Sequence, residues 1–97
     1  MDVNYEINGT SFVWDKAKSR LNLNKHGVSF ETAASAFFDP FFRLEDASRN
    51  NEQRDAVIGF DDTQRLLYVV HIEIEGEFIR IISAHRATTA ERFKYDQ

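Results

Sequence analysis

The residues best suited to chemistry fall in one stretch, Arg65 to Arg86 (RLLYVVHIEIEGEFIRIISAHR), where Arg65, His71, Arg80 and Arg86 recur among Val, Ile and Leu. Guanidinium groups stay charged and hold phosphate through two hydrogen bonds at once. Arginines spaced along one surface therefore suit a polyanion backbone or the charge that develops in phosphoryl transfer. A histidine among them moves protons near neutral pH. The competing explanation is a solvated sheet face on which Arg80 pairs with Glu73 or Glu77.

Three smaller groupings stand beside it. His85-Arg86 with Glu91-Arg92 falls at a strand end and a helix start, where free backbone N–H groups favour anions. Its structural alternative is that Glu91 completes a helix cap while Arg92 faces solvent. Lys25-His26 before Gly27 reads first as a helix end where cations complement the dipole. Glu52 and Arg54 could act as base and clamp, or form an ordinary ion pair. His26, His71 and His85 lack the spacing of a metal site, and the chain has no Cys. It also has no phosphate loop, dinucleotide fingerprint or nucleophile elbow. Neither a metal nor a cofactor is expected.

The elements that must hold these residues are legible from local signals. Two β-rich runs joined at Glu75-Gly76 form a hairpin. With a two-residue loop His71 faces Arg80 and Arg65 faces Arg86, on a side shared with Leu67, Val69 and Ala84. Leu66, Tyr68, Val70, Ile72 and Ile74 with Ile79, Ile81 and Ser83 then face the core. A three-residue loop shifts the pairing by one and moves Arg80 onto the face of Ile72; the shorter loop is preferred because Gly suits a tight turn. Asn8-Gly9 predicts an N-terminal hairpin over Val3 to Trp14. Asp15 caps a helix with Trp14, Ala17, Leu21 and Lys25 at helical spacing, and Gly27 stops it. Ser29 caps a second helix with Phe30, Ala33, Ala34, Phe37 and Phe38 as its apolar stripe, ended by Asp39-Pro40. Phe41 to Leu44 and Asp55 to Phe60 read as strands, and Thr88 with Glu91 as a capping box opening a short helix through Tyr95. The expected fold is α+β: an antiparallel sheet of about four strands, two N-terminal helices on one face and a short C-terminal helix.

At 97 residues the chain makes one domain, residues 1–97, and its 42% hydrophobic content supports a packed core. No apolar run reaches a membrane span and no signal peptide is evident, so a cytoplasmic location is expected. A net charge of −4 counts against a generic nucleic-acid binder. The acid is uneven: residues 1–62 hold eleven Asp and Glu against seven Lys and Arg, whereas residues 63–97 hold five of each.

Phe12-Val13-Trp14-Asp15-Lys16-Ala17-Lys18, Asn24-Lys25-His26-Gly27-Val28-Ser29-Phe30-Glu31, Phe38-Asp39-Pro40, Ile58-Gly59, Arg65-Leu66-Leu67, Ile79-Arg80-Ile81-Ile82-Ser83-Ala84 and Ala87-Thr88 through Glu91-Arg92 with Tyr95 resemble the BrnT family, in order along the chain. The resemblance implies a RelE-like fold and the toxin of a type II toxin–antitoxin pair. Such a toxin is a metal-independent ribonuclease that arrests translation and is neutralised by a BrnA-like antitoxin. RNA, free or on the ribosome, is its substrate, and operator DNA is reached only through the antitoxin. Carried over by position, Arg65 and Arg80 become the leading active-face residues, with His71 and Glu91 as further catalytic candidates. Arg86, Arg92, His85, Arg54 and Lys25 become RNA-binding candidates. Three departures stand out. The chain is acidic where the family tends to be basic, His85 stands where Arg or Lys is common after Ser-Ala, and a hairpin over Val3 to Thr10 precedes the usual start.

Two alternatives of other classes compete with the toxin ribonuclease. One is a noncatalytic module that retains only antitoxin binding and operon co-repression. The other is a helix-turn-helix DNA binder over Asp15 to Phe38. Its second helix spends its apolar face on Phe30, Phe37 and Phe38, leaving only Glu31, Thr32 and Ser35 for a groove.

Overall fold

The computed structural model describes residues 1–97. β1 (Asp2–Ile7) and β2 (Thr10–Asp15) form a hairpin whose turn residues Asn8 and Gly9 both take positive φ, 52° and 79°, the backbone of a tight two-residue turn. Asp15 then caps α1 (Lys16–His26) by accepting from Lys18 N–H, and Gly27 ends it at φ 69°. Ser29 caps α2 (Phe30–Ser35), which tightens into a 3₁₀ turn over Ala36–Phe38. β3 (Arg43–Asp46), β4 (Asp55–Phe60), β5 (Leu66–Ile74) and β6 (Phe78–Arg86) follow as an antiparallel meander, and α3 (Thr89–Tyr95) closes the fold.

The sheet has six strands rather than four, in the order β1-β2-β6-β5-β4-β3. The extra pair joins because β2 lies parallel to β6, Phe12 beside Ile79 and Val13 beside Arg80. That docking places Phe12 and Trp14, each 1% exposed, against Phe30 of α2 and Phe37 of the 3₁₀ turn. Ala33, Ala34, Val57, Leu67, Val69, Ile81 and Ala84 complete the same core. The 3₁₀ turn sits so close to β4 that a Cβ on Gly59 would stand 2.6 Å from the Ala36 carbonyl oxygen. Only glycine admits that approach.

The helices do not share one face. α2 covers the side of Leu67, Val69 and Ile81. α3 lies on the opposite side, where Glu91 meets His85 and Lys94 meets Glu45. Its last turn is fastened by Tyr95, whose hydroxyl donates to Asp39 Oδ2 at 2.6 Å; burial and that carboxylate push the phenol up to about 12.

α1 takes a third position. β2 pairs with β6 only at residues 79 and 80, leaving the edge of β6 open farther along. Asn22 fills the gap: its Oδ1 accepts from Ala84 N–H at 3.1 Å, and its Nδ2 donates to Ala84 O at 2.8 Å and Val28 O at 2.9 Å. One amide side chain thus does what a neighbouring strand would do. The expected apolar stripe of α1 consequently points outward, with Leu21 67% exposed, while Asn22 is the residue buried. A helix against a strand edge must satisfy backbone groups, not bury an apolar face.

The β5–β6 pairing also departs from expectation. The loop holds three residues, with Ile74 opposite Phe78 and Glu77 N–H bonded to Ile74 O at 2.9 Å. A bulge near Val70 and His71 then shifts the register again. Arg80 therefore pairs with Ile72, and His71 with Ile81. The side expected to be mixed, carrying Leu67, Val69 and His71, is the one packed into the core. Apolar residues line both sides of this hairpin, so alternation alone does not say which side the helices cover.

Candidate active site

The Arg65, His71 and Arg80 cluster does not assemble. Arg65 lies in the turn before β5, where its Nε bonds Asp61 Oδ2 at 3.0 Å and its Nη1 donates to Gly27 O at 3.1 Å. Those bonds draw it toward the helical layer, tying the turn to the end of α1. Asp61 is 6% exposed. Burial would raise its carboxyl, but hydrogen bonds from Arg65 and Thr63 outweigh that and hold it below the ordinary carboxylate range. His71 is 2% exposed, packs edge-on against Phe37 at 4.8 Å, and its Nδ1 donates to Val69 O at 3.1 Å. Burial keeps its imidazole below the usual value, hence neutral. Arg80 projects from the other side of the sheet and is held by Asp2 Oδ2 at 2.9 Å.

The second grouping does come together. His85, near the end of β6, places Nε2 3.0 Å from Glu91 Oε1. The same carboxylate accepts from Thr88 N–H at 2.9 Å, while Thr88 Oγ1 accepts from Glu91 N–H at 3.2 Å. The capping box that starts α3 thus fixes the group that orients the histidine. Beneath His85 lies Tyr68, its cross-strand partner, with rings stacked at 5.1 Å and an interplanar angle of 19°. Burial and the neighbouring Glu45 carboxylate hold the Tyr68 phenol well above its ordinary range.

His85 and Tyr68 line a cleft of about 390 Å³ with Arg49, Arg54, Val70 and Ser83. The β3–β4 connection forms its other wall, folded over by Ser48, which accepts from Arg54 N–H at 3.2 Å. Arg54 Nε bonds Glu52 Oε1 at 2.6 Å, the expected ion pair, on the rim of the cleft. At Ser83 this cleft meets a second one lined by Lys18, Lys25 and His26 of α1. The His26 ring lies 5.8 Å from that of His85. Arg86 and Arg92 are exposed at the end of β6 and on α3.

The arrangement provides a carboxylate-oriented imidazole, stacked on an aromatic ring, facing an open cleft with two guanidinium groups. It has the parts for proton transfer beside a bound anion. Sequence reasoning had placed His85, Glu91 and Arg54 among the candidates. It assigned Tyr68 and Ser83 to the core face and did not single out Arg49; Lys25-His26 read first as a helix end, because the nearness of His26 to His85 depends on α1 lying along the β6 edge.

Residues 14–91 match the family described as "Ribonuclease toxin, BrnT, of type II toxin-antitoxin system". The chain is also similar to the crystal structure of the Brucella abortus ribonuclease toxin, BrnT, at 20% identity and a TM-score of 0.61. That likeness covers 78% of this chain and 94% of the Brucella chain, and it speaks for the fold. No curated protein matches. β1 and most of β2 precede the matched residues, whereas both N-terminal helices, the meander and the Glu91 end of the cleft fall within them. The chain therefore belongs to the BrnT family of ribonuclease toxins of type II toxin–antitoxin systems.

Proposed function

We propose that this toxin cleaves RNA in the cleft between β5, β6, the β3–β4 connection and α3, by attack of a ribose 2′-hydroxyl on the adjacent phosphate. His85, oriented by Glu91, transfers a proton. Arg54 and Arg49 stabilise charge on the phosphate oxygens, and Tyr68 supports the imidazole and offers a stacking surface to a base. Arg86, Arg92 and Lys25 extend the cationic surface for the RNA backbone. The observation that carries this reading is the His85–Glu91 pair, 3.0 Å apart and open to the cleft. These side chains supply acid–base and electrostatic catalysis themselves, so the reaction is proposed to run without a metal, on a RelE-like scaffold. It would act in the cytoplasm, arrest translation, and be neutralised by a BrnA-like antitoxin through which operator DNA is reached.

The test is direct. Purified protein incubated with a mixed-sequence RNA in chelator should yield fragments ending in a 2′,3′-cyclic phosphate, and His85→Ala should remove the activity without changing the thermal melt. Intact RNA with the wild type, free or on ribosomes, would refute the proposal.

One observation favours a second reading, a module that binds its antitoxin without cleaving RNA. Arg54, Arg65 and Arg80 each have a carboxylate partner within 3.0 Å, and the net charge of −4 weakens nonspecific attraction to RNA. Antitoxin binding together with intact RNA would select that reading.

A further inference from the structure

We infer that His26 and His85 form a two-histidine proton-transfer pair across the scissile phosphate, His26 accepting the proton of the 2′-hydroxyl and His85 donating one to the departing 5′-oxygen. The inference rests on the ribonuclease reading and deepens it. In-line displacement at phosphorus needs a base on the attacking side and an acid on the leaving side. A single imidazole serves both only by turning over between them.

The two rings come from different elements and are held independently. His85 is fixed on β6 by Glu91 and by stacking on Tyr68. His26 sits in the last turn of α1, whose position is set one turn earlier by the bonds of Asn22 to Ala84, the residue just before His85. Their centroids are 5.8 Å apart with planes inclined at 47°, and no hydrogen bond joins them. The gap opens where the clefts meet at Ser83. A ligand there has imidazole on both flanks.

Their surroundings divide the roles. His85 faces the Glu91 carboxylate from α3, the Tyr68 phenol from β5, His26 from α1, and Arg49 and Arg54 across the cleft. The Glu91 carboxylate occupies Nε2 and leaves Nδ1 as the ring nitrogen open to a ligand, which suits His85 to the leaving-group side. His26 faces no carboxylate; its neighbours are His85, Lys25 and Lys18. Desolvation, then His85 and Lys25, depress its basicity and keep it neutral at physiological pH, the form that accepts. One ring with a carboxylate partner and one without thus suit different halves of the proton transfer.

In the step itself, His26 takes the 2′-hydroxyl proton as the 2′-oxygen bonds to phosphorus. The bond from phosphorus to the 5′-oxygen breaks, and imidazolium His85, whose Nε2 is held by Glu91, delivers its Nδ1 proton to that oxygen. The products are a 2′,3′-cyclic phosphate and a 5′-hydroxyl. Exchange with water restores both histidines, and no oxidant or reductant takes part.

The test uses an oligodeoxynucleotide with one ribose at a site the wild type cuts, carrying either oxygen or sulfur as the 5′-bridging atom. Sulfur leaves without a proton, so the sulfur substrate has no need of the acid. His26→Gln should lower kcat about 10²–10⁴-fold on both substrates. His85→Gln should lose as much on the oxygen substrate and recover most of it on the sulfur one. The pH–rate profile of each variant should lose one limb, and affinity for the all-deoxy oligonucleotide should stay within about threefold of wild type. His26→Gln within threefold of wild type in kcat, or sulfur rescue of His26→Gln in place of His85→Gln, would overturn the inference while leaving the ribonuclease reading intact. A wild type that cuts neither substrate would bring down both.

Discussion

Glu91 performs two separable tasks, and glutamine keeps only one of them. Its carboxylate accepts from Thr88 N–H in the cap of α3 and from His85 in the cleft. Glutamine offers an oxygen to Thr88 as readily, since either residue completes a capping box. It gives His85 no charge. A hydrogen bond to a charged group is worth about 1.5–3 kcal/mol. The two side chains are 29% and 18% exposed, so solvent screens part of the attraction and the lower half of that range applies. Glu91→Gln should therefore slow cleavage about 10- to 50-fold and lower Tm less than Glu91→Ala does, because it keeps the cap. Glu91→Ala should slow it at least as much and also lose the cap, about 1 kcal/mol, or about 4–8 °C in a domain of this size. Initial rates on a fluorescent RNA substrate, with melts of the same samples, separate the effects. Wild-type rates in Glu91→Gln, or equal losses of Tm in the two variants, would refute the dual role.

Asn22→Leu should cost about 2–4 kcal/mol in urea unfolding, because Ala84 N–H and the Ala84 and Val28 carbonyls lose their partner together. Gly59→Ala should cost about 1–3 kcal/mol, since the 3₁₀ turn must retreat from β4 to admit a methyl group; an unchanged unfolding midpoint would show that the turn yields freely. Asp61 sits below its ordinary value of 3.8 in the folded chain. Its contribution is therefore whole above about pH 4, and it fades as the pH falls through the folded value, because the unfolded chain takes up the proton first. Asp61→Asn should flatten that acid limb of the stability profile. Arg65→Ala should lower stability by about 1.5–3 kcal/mol by stripping Asp61 and Gly27 O of a partner, while leaving kcat near wild type.

What the sequence disclosed was local. Asn8-Gly9 predicted its hairpin because the turn is decided by two residues. Asp15, Ser29 and Thr88 predicted helix starts because each cap closes within three residues. His85 and Glu91 were grouped for the same reason, and the cap first offered as an alternative to function coexists with the contact to His85. The face of Arg80 was not legible. It depends on a third loop residue and on a bulge, each of which moves the pairing by one position and neither of which leaves a composition signal. The orientation of α1 was hidden too: its pattern promised an apolar face, but the helix meets a strand edge, where Asn22 counts for more than Leu21. His26 reaches the cleft only through that docking.

The amide of Asn22 spans 62 positions of chain to reach Ala84, and the cleft draws on residues from α1 through α3. Contacts of such long range form late in folding. A nascent polypeptide that has not yet emerged as far as Glu91 lacks the carboxylate that holds His85. On the proposed reading the cleft is therefore completed only when α3, the last element of the chain, docks.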